Sequence, residues 1–226
     1  MKYIKQLGMI CVLWLGFIPV AFAVTVSGFL HAQFGDKEGV VIDAIKSDFG
    51  KSQAIESLPQ DAVTGTKTLK IKLPSLDPIN LPATLSYIFG YKCNCLIQVS
   101  VVWQLPKKIT AKERKEFLTT ISELSRNFAN RPWGKGEILT GRVSGEIKEN
   151  QTTNYFFFRG VAEDHSAITV WGAPIIIVKT KSASKREAQQ AGLTANIDRL
   201  ETLGVNYELN VKRPDLKRVS SQNSQF

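Results

Sequence analysis

The sequence predicts an α+β domain in which about three helices pack on one face of an antiparallel sheet. Three observations point there. Apolar stripes at helical spacing recur in three segments, two of them opened by capping signals, and β-rich runs lie between them. The links joining the later runs are too short for parallel crossovers, so those strands pair antiparallel. With 43% hydrophobic and 22% charged residues in 226, the chain can bury a core and is neither a disordered tail nor a multispanning membrane protein.

Residues 24–34 read as a strand or extended segment. Gly35-Asp36 opens a helix over 37–49, where Val41, Ile45 and Phe49 recur at helical spacing with Val40 and Ala44 beside them, and Gly50 stops it. Residues 51–66 are polar, contain Pro59 and Gly65, and read as a loop. Over 68–73, Leu69, Ile71 and Leu73 alternate with Lys70 and Lys72, which predicts a half-exposed strand. Pro74, Pro78 and Pro82 punctuate the connection to a hairpin whose strands cover 85–89 and 96–103, and Pro106 closes it.

Thr110-Ala111-Lys112-Glu113 has the spacing of a capping box, in which hydroxyl and carboxylate each satisfy an orphan backbone donor. Phe117, Ile121, Leu124 and Phe128 follow as one buried stripe, with Lys112, Lys115, Thr119, Ser122 and Arg126 on the solvated side. After a loop at 130–136, three strands cover 138–147, 154–161 and 166–178. They are joined by Lys148-Glu149-Asn150-Gln151 and Ala162-Glu163-Asp164-His165, and Gly172 with Pro174 predicts a bulge or bend in the third. Ser184-Lys185-Arg186-Glu187 is a second capping box. It opens a helix to about Leu203, with Leu193, Ile197 and Leu200 on one side and Gly204 as its stop. A last strand covers 205–211, and 212–226 reads as a mobile basic tail.

The order of helix then strands occurs twice, suggesting a single domain over 24–211 with similar halves at 24–106 and 107–211. Residues 1–23 read as a cleaved signal peptide, the alternative being an uncleaved anchor helix, for which the apolar run is short. Lys2 and Lys5 precede an apolar run over 7–20, and Ala21 and Ala23 supply the small side chains a signal peptidase accepts. The mature chain is then periplasmic or secreted, without an integral membrane span. Losing Lys2 and Lys5 takes the net charge from +9 to +7. Outside the cytoplasm that excess suits acidic lipid head groups, cell-wall polymer or an acidic protein better than nucleic acid; the plain alternative is that it only keeps the protein soluble.

Processing leaves Cys93 and Cys95 as the cysteine pair, in Lys92-Cys93-Asn94-Cys95. On a plain strand their Cα atoms lie near the far limit for a disulfide. At a hairpin tip the chain folds back and a small, comparatively reducible ring can close. The β-rich flanks and Asn94, which tolerates the left-handed conformation of a turn, favour the tip. An unpaired or intermolecular pair and a redox or metal role are the other readings. A second metal-binding pair is missing, and Cys-x-x-Cys at a helix start is absent.

Most catalytic equipment is missing as well. There is no nucleophile elbow, phosphate-binding loop or zinc helix, and the imidazoles are His31, in an apolar strand, and His165, in a polar turn. Asp36, Glu38, Glu137, Glu146, Glu163 and Asp164 are available as carboxylates, but no spacing singles out two of them. The most function-like loop is Arg131-Pro132-Trp133-Gly134-Lys135-Gly136. Trp133 could stack on a sugar or enter a partner pocket while Arg131 and Lys135 hold an anion; alternatively, the indole closes over the end of the preceding helix.

The stretch from Asp43 to Gly50, followed by the hairpin from Leu85 to Trp103, resembles the small exported modules of the β-lactamase-inhibitor-protein and SmpA type, in which a short helix ending near a Gly leads into an antiparallel sheet. The resemblance covers about half the chain and implies a non-catalytic binder of proteins or envelope components. It departs from that pattern in having no lipid-bearing Cys after the signal and in Lys51-Ser52 standing where a Pro often follows the Gly. The expectation is an exported accessory protein without catalytic residues, cofactor or metal, binding an envelope protein or anionic polymer. The competing classes are an envelope-polymer hydrolase using paired carboxylates and a thiol-dependent redox factor using Cys93 and Cys95.

Overall fold

The computed structural model describes residues 24–106, 110–143, 155–173 and 202–217. An eight-stranded antiparallel sheet dominates. In chain order its elements are a small hairpin of β1 (Gly28–Phe29) and β2 (Ala32–Gln33), helix α1 (Glu38–Phe49), then β3 (Glu56–Leu58), β4 (Lys67–Leu76), β5 (Leu81–Phe89) and β6 (Leu96–Gln104). Helix α2 (Ala111–Ala129) follows, then β7 (Glu137–Val143), β8 (Tyr155–Val161), β9 (Ala167–Ala173) and β10 (Thr202–Glu208). The large sheet runs β3-β4-β5-β6-β10-β9-β8-β7, so the last strand enters its middle and pairs antiparallel with β6 and with β9.

Strand register explains the core. Ile71, Leu85, Val101, Val205, Val170 and Phe158 stand opposite one another across successive strands, and all are buried. Because side chains alternate along a strand, the next row on this face is Leu69, Tyr87, Val99, Tyr207 and Ile168. Both helices contribute to the core formed on this face. Helix α1 buries Val41, Ala44 and Ile45, the larger two worth roughly 1.5–3 kcal/mol each. Helix α2 buries Ile121 and Phe128, with Phe117 and Leu124 partly covered; the Phe128 ring stacks on Phe158 at 5.9 Å and meets Tyr207 edge-on at 6.3 Å. Burial pushes the Tyr207 hydroxyl up to about 12, with Arg131 pulling the other way.

The helix ends follow their sequence signals. Thr110 accepts from the Glu113 amide while the Glu113 carboxylate accepts from the Thr110 amide, completing the capping box. Gly50, at φ 99°, ends α1 and donates to the Lys46 carbonyl. Val40 departs from its expected neighbours and is exposed.

Several boundaries are corrected. The expected loop at 51–66 contains β3, a short edge strand whose alternation is too brief to register. The strand expected over 68–73 continues through Pro74 to Leu76, with a register shift after Leu73 that accommodates the proline. Among the described residues the helices are those at 38–49 and 111–129; the second capping box and most of the third expected helix lie outside the described residues. Thr202 and Leu203, expected at its end, belong to β10, and Gly204 is not a helix stop but a mid-strand residue. A Cβ on Gly204 would meet the Trp171 indole at 2.3 Å, so glycine there leaves room for the ring rather than for a turn. Of the strand expected over 166–178, residues 167–173 form β9; residues 144–154 and 174–178 of the expected strands and links lie outside the described residues.

Gly160 in β8 plays the same part for Trp133, since a Cβ at this position would lie 2.4 Å from the indole ring. Gly160→Ala is therefore expected to lower stability by about 1–3 kcal/mol, measurable by chemical denaturation. A pH effect follows from Glu208, at the end of β10, whose carboxyl is pushed up by burial against the opposing pull of Arg159. A raised carboxyl makes its stabilising contribution below the unfolded-state value and loses it as pH rises through the folded value. Glu208→Gln is expected to match the parent protein in acid and to gain relative stability as pH rises above the ordinary glutamate range, read from denaturation midpoints across pH.

Candidate functional site

Topology gathers several connections at one end of the sheet. Phe89 stands opposite Leu96, and Glu208 opposite Gln98 and Ala167, with Val161 and Glu137 completing the row. The loop before β4, the tip between β5 and β6, the loop after α2, the turn between β8 and β9 and the segment after β10 therefore share this end. They carry every residue singled out as a binding or redox candidate.

The tip folds as a tight turn. The Gly90 amide donates to the Cys95 carbonyl, the Asn94 amide donates to the Gly90 carbonyl, and Asn94 takes the left-handed conformation at φ 47°. This reversal brings the Cα atoms of Cys93 and Cys95 to 5.1 Å, within disulfide reach, and the sulfurs are joined. The Lys37 ammonium donates to the Cys93 carbonyl at 2.6 Å.

A strap then locks the tip from the other side. After β10, the Leu209 amide donates to the Ile97 carbonyl and the Val211 amide to the His165 carbonyl. The Asp215 carboxylate accepts from the amides of Lys92 and Cys93 at 2.9 and 2.8 Å, while the Asp215 carbonyl accepts from the Tyr91 amide. The Lys217 amide donates to the Thr64 carbonyl at 2.7 Å. Gly90 leaves room for Asp215, since a Cβ there would lie 2.5 Å from its carboxylate oxygen. For residues 212–217 the expected mobile tail is thus corrected to an anchored strap: Asp215, the lone acid among its cations, satisfies turn amides that the hairpin cannot satisfy itself. Residues 218–226 lie outside the described residues.

Four carboxylates at this end act as acceptors for backbone amides: Asp61 for Val63 and Thr64, Glu163 for Lys135, Asp164 for Ser166 and Asp215 for the tip, while Glu137 is exposed at the start of β7 and Glu208 is partly buried at the end of β10. The amide and hydroxyl of Thr64 hold the Asp61 carboxyl below the usual carboxylate range. Lys92, Lys135, Lys212, Arg213 and Lys217 are exposed, and none has an ion-pair partner among the described residues. Lys67 is the exception, paired with Glu38 at 2.7 Å.

Within the loop after α2, the expected binding trio separates. Trp133 is 2% exposed, its indole N–H donates to the Phe128 carbonyl at 2.8 Å, and its ring packs on Phe158. An indole so placed offers no stacking face to a ligand; it closes the end of α2, because Gly134 at φ 62° lets the loop reverse and the large apolar ring is better covered than wet. Arg131 and Lys135 remain at the surface, Arg131 with its guanidinium 4.9 Å from the centre of the Phe128 ring.

Of the remaining candidates, Glu137 starts β7 opposite Val161 and so shares this end with Glu163 and Asp164 of the β8–β9 turn, and the others lie apart from them. His165 sits at φ 69° in the β8–β9 turn, and His31 pairs at the surface with the carboxylate of Asp48. Asp36 accepts from the Gln33 amide and Glu38 is taken by Lys67; Glu146 lies outside the described residues. Among the described residues no group of three or more His, Cys, Asp and Glu side chains gathers as a metal site. No family model matches the chain, and neither a curated protein nor a solved structure matches it.

Asp215→Ala tests the strap. Hydrogen bonds to a charged acceptor are worth about 1.5–3 kcal/mol, and these amides regain water when released, so a stability loss near the lower end is expected. Hydrogen exchange should show the Lys92 and Cys93 amides losing protection while those of β5 and β6 keep theirs.

Proposed function

We propose that this chain is an exported, non-catalytic binding or accessory protein that attaches to an envelope component or protein partner through the basic end of its sheet. One observation carries the reading: at that end Asp61, Glu163, Asp164 and Asp215 accept from backbone amides and Glu137 stays exposed, while Lys92, Lys135, Lys212, Arg213 and Lys217 face solvent without ion-pair partners among the described residues. Such a surface attracts anionic partners over about a Debye length. Export rests on the signal-like residues 1–23, and the disulfide at the tip supports an oxidising compartment, where such bonds persist. The resemblance to β-lactamase-inhibitor-protein modules, which are non-catalytic binders, supports the same class by analogy.

A thiol-dependent role is the second reading, favoured by the placing of Cys93 and Cys95 on a tip at the molecular surface. Removing both cysteines separates the two: a binding protein keeps its capture with a loosened tip, whereas a redox factor loses its activity outright.

The direct test is capture from an envelope fraction. Immobilised protein is expected to retain material at low salt and release it at high salt, with Lys92→Glu/Lys217→Glu reducing retention. Absence of any retained material at low salt overturns the reading.

A further inference from the structure

We infer that the partner of this basic end is an anionic lipid surface, with Tyr91 and Val63 as shallow apolar anchors. The inference rests on the proposed binding role and names its partner. Tyr91 is 40% exposed and Val63 is 65% exposed, and both are large hydrophobic side chains left in water at the same end of the sheet. They belong to one contiguous surface. Gly65 lies against Tyr91 and Lys217, since a Cβ there would come within 2.6 Å of the Tyr91 ring and 3.0 Å of the Lys217 side chain, and Val63 is two residues away on the same loop. Lys92 follows Tyr91 directly, and Lys217 is tied to Thr64 by the 2.7 Å backbone bond.

Charge complementarity decides the class of partner. Apolar side chains with Lys92 and Lys217 beside them suit a headgroup layer, where the cations meet anionic phosphates and the greasy groups reach the acyl boundary. Tyrosine is suited to that boundary, since its ring is apolar and its hydroxyl stays wet. A soluble polyanion rewards the lysines alone and leaves Val63 unsatisfied. The anchors are also held in place before binding. The disulfide ring, the Asp215 bonds to the tip amides and the Asp61 bonds to the Val63 and Thr64 amides fix both loops, so little ordering cost falls on association. Among the described residues no helix is long and apolar enough to cross a membrane.

The experiment is co-sedimentation of the purified protein with vesicles of phosphatidylcholine containing phosphatidylglycerol, against vesicles of phosphatidylcholine alone. Binding is expected to the anionic vesicles and to weaken with salt. Lys92→Glu/Lys217→Glu should reduce partitioning at least about tenfold, since each basic residue near an anionic surface contributes roughly a fivefold factor. Lys112→Glu/Lys115→Glu, the same charge change at the far end of the sheet, should leave it within about twofold. Val63→Ser and Tyr91→Ser should each weaken binding without abolishing the salt dependence. Tyr91→Trp should show a blue-shifted emission quenched by brominated acyl chains. Equal loss from both charge-reversed pairs, or no effect of the serine variants together with no quenching, overturns the assignment of the surface. If the vesicles fail but delipidated envelope material still captures the protein at low salt, the lipid inference falls and the binding role stands. If both fail, both fall.

Discussion

Strand β10 is the constraint on which the rest depends. The meander of β4, β5 and β6 and the meander of β7, β8 and β9 do not pair with each other among the described residues; they become one sheet because the last strand lies between β6 and β9 with seven register pairs on each side. Its inward residues, Leu203, Val205 and Tyr207, continue the apolar rows across the join, so hydrogen bonding and burial favour the same register. A slip of one residue would turn those side chains to the opposite face and set Gly204 where a core residue belongs.

The same strand also organises the surface. Because β10 ends beside the start of β6 and of β9, the chain that leaves it passes the β8–β9 turn and reaches the disulfide-closed tip, where Asp215 meets the amides of Lys92 and Cys93. A carboxylate used as an amide acceptor has part of its hydrogen-bonding capacity taken by its loop, whereas Lys92, Lys135, Lys212, Arg213 and Lys217 beside it have no ion-pair partner among the described residues.

Two indoles illustrate how side-chain size and backbone shape are fitted to each other. Trp133 lies over Gly160 and Trp171 over Gly204, each ring occupying the space that a Cβ would take. In the Trp133 loop this fit separates the expected ligand-binding trio, taking the indole inward and leaving Arg131 and Lys135 outside. The candidate surface gains cations and loses its aromatic platform there, and Tyr91 at the neighbouring tip becomes the exposed ring.

The amino-acid sequence alone determined what depends on neighbours in the chain. The α2 stripe of Phe117, Ile121, Leu124 and Phe128, the Thr110 capping box, the Gly50 stop, the alternation of Leu69, Ile71 and Leu73, and the tip that closes Cys93 on Cys95 all express local periodicity or turn chemistry. Only the tertiary structure decided what depends on distant partners: that Gly204 sits within a strand, that Asp215 turns a basic tail into a strap, that Trp133 is core, and that Val63, Tyr91, Lys92 and Lys217 share one surface. Those facts arise from contacts between residues far apart along the chain. Local spacing carries no information about them, because the free energy that fixes each position is shared with a partner brought there by strand order.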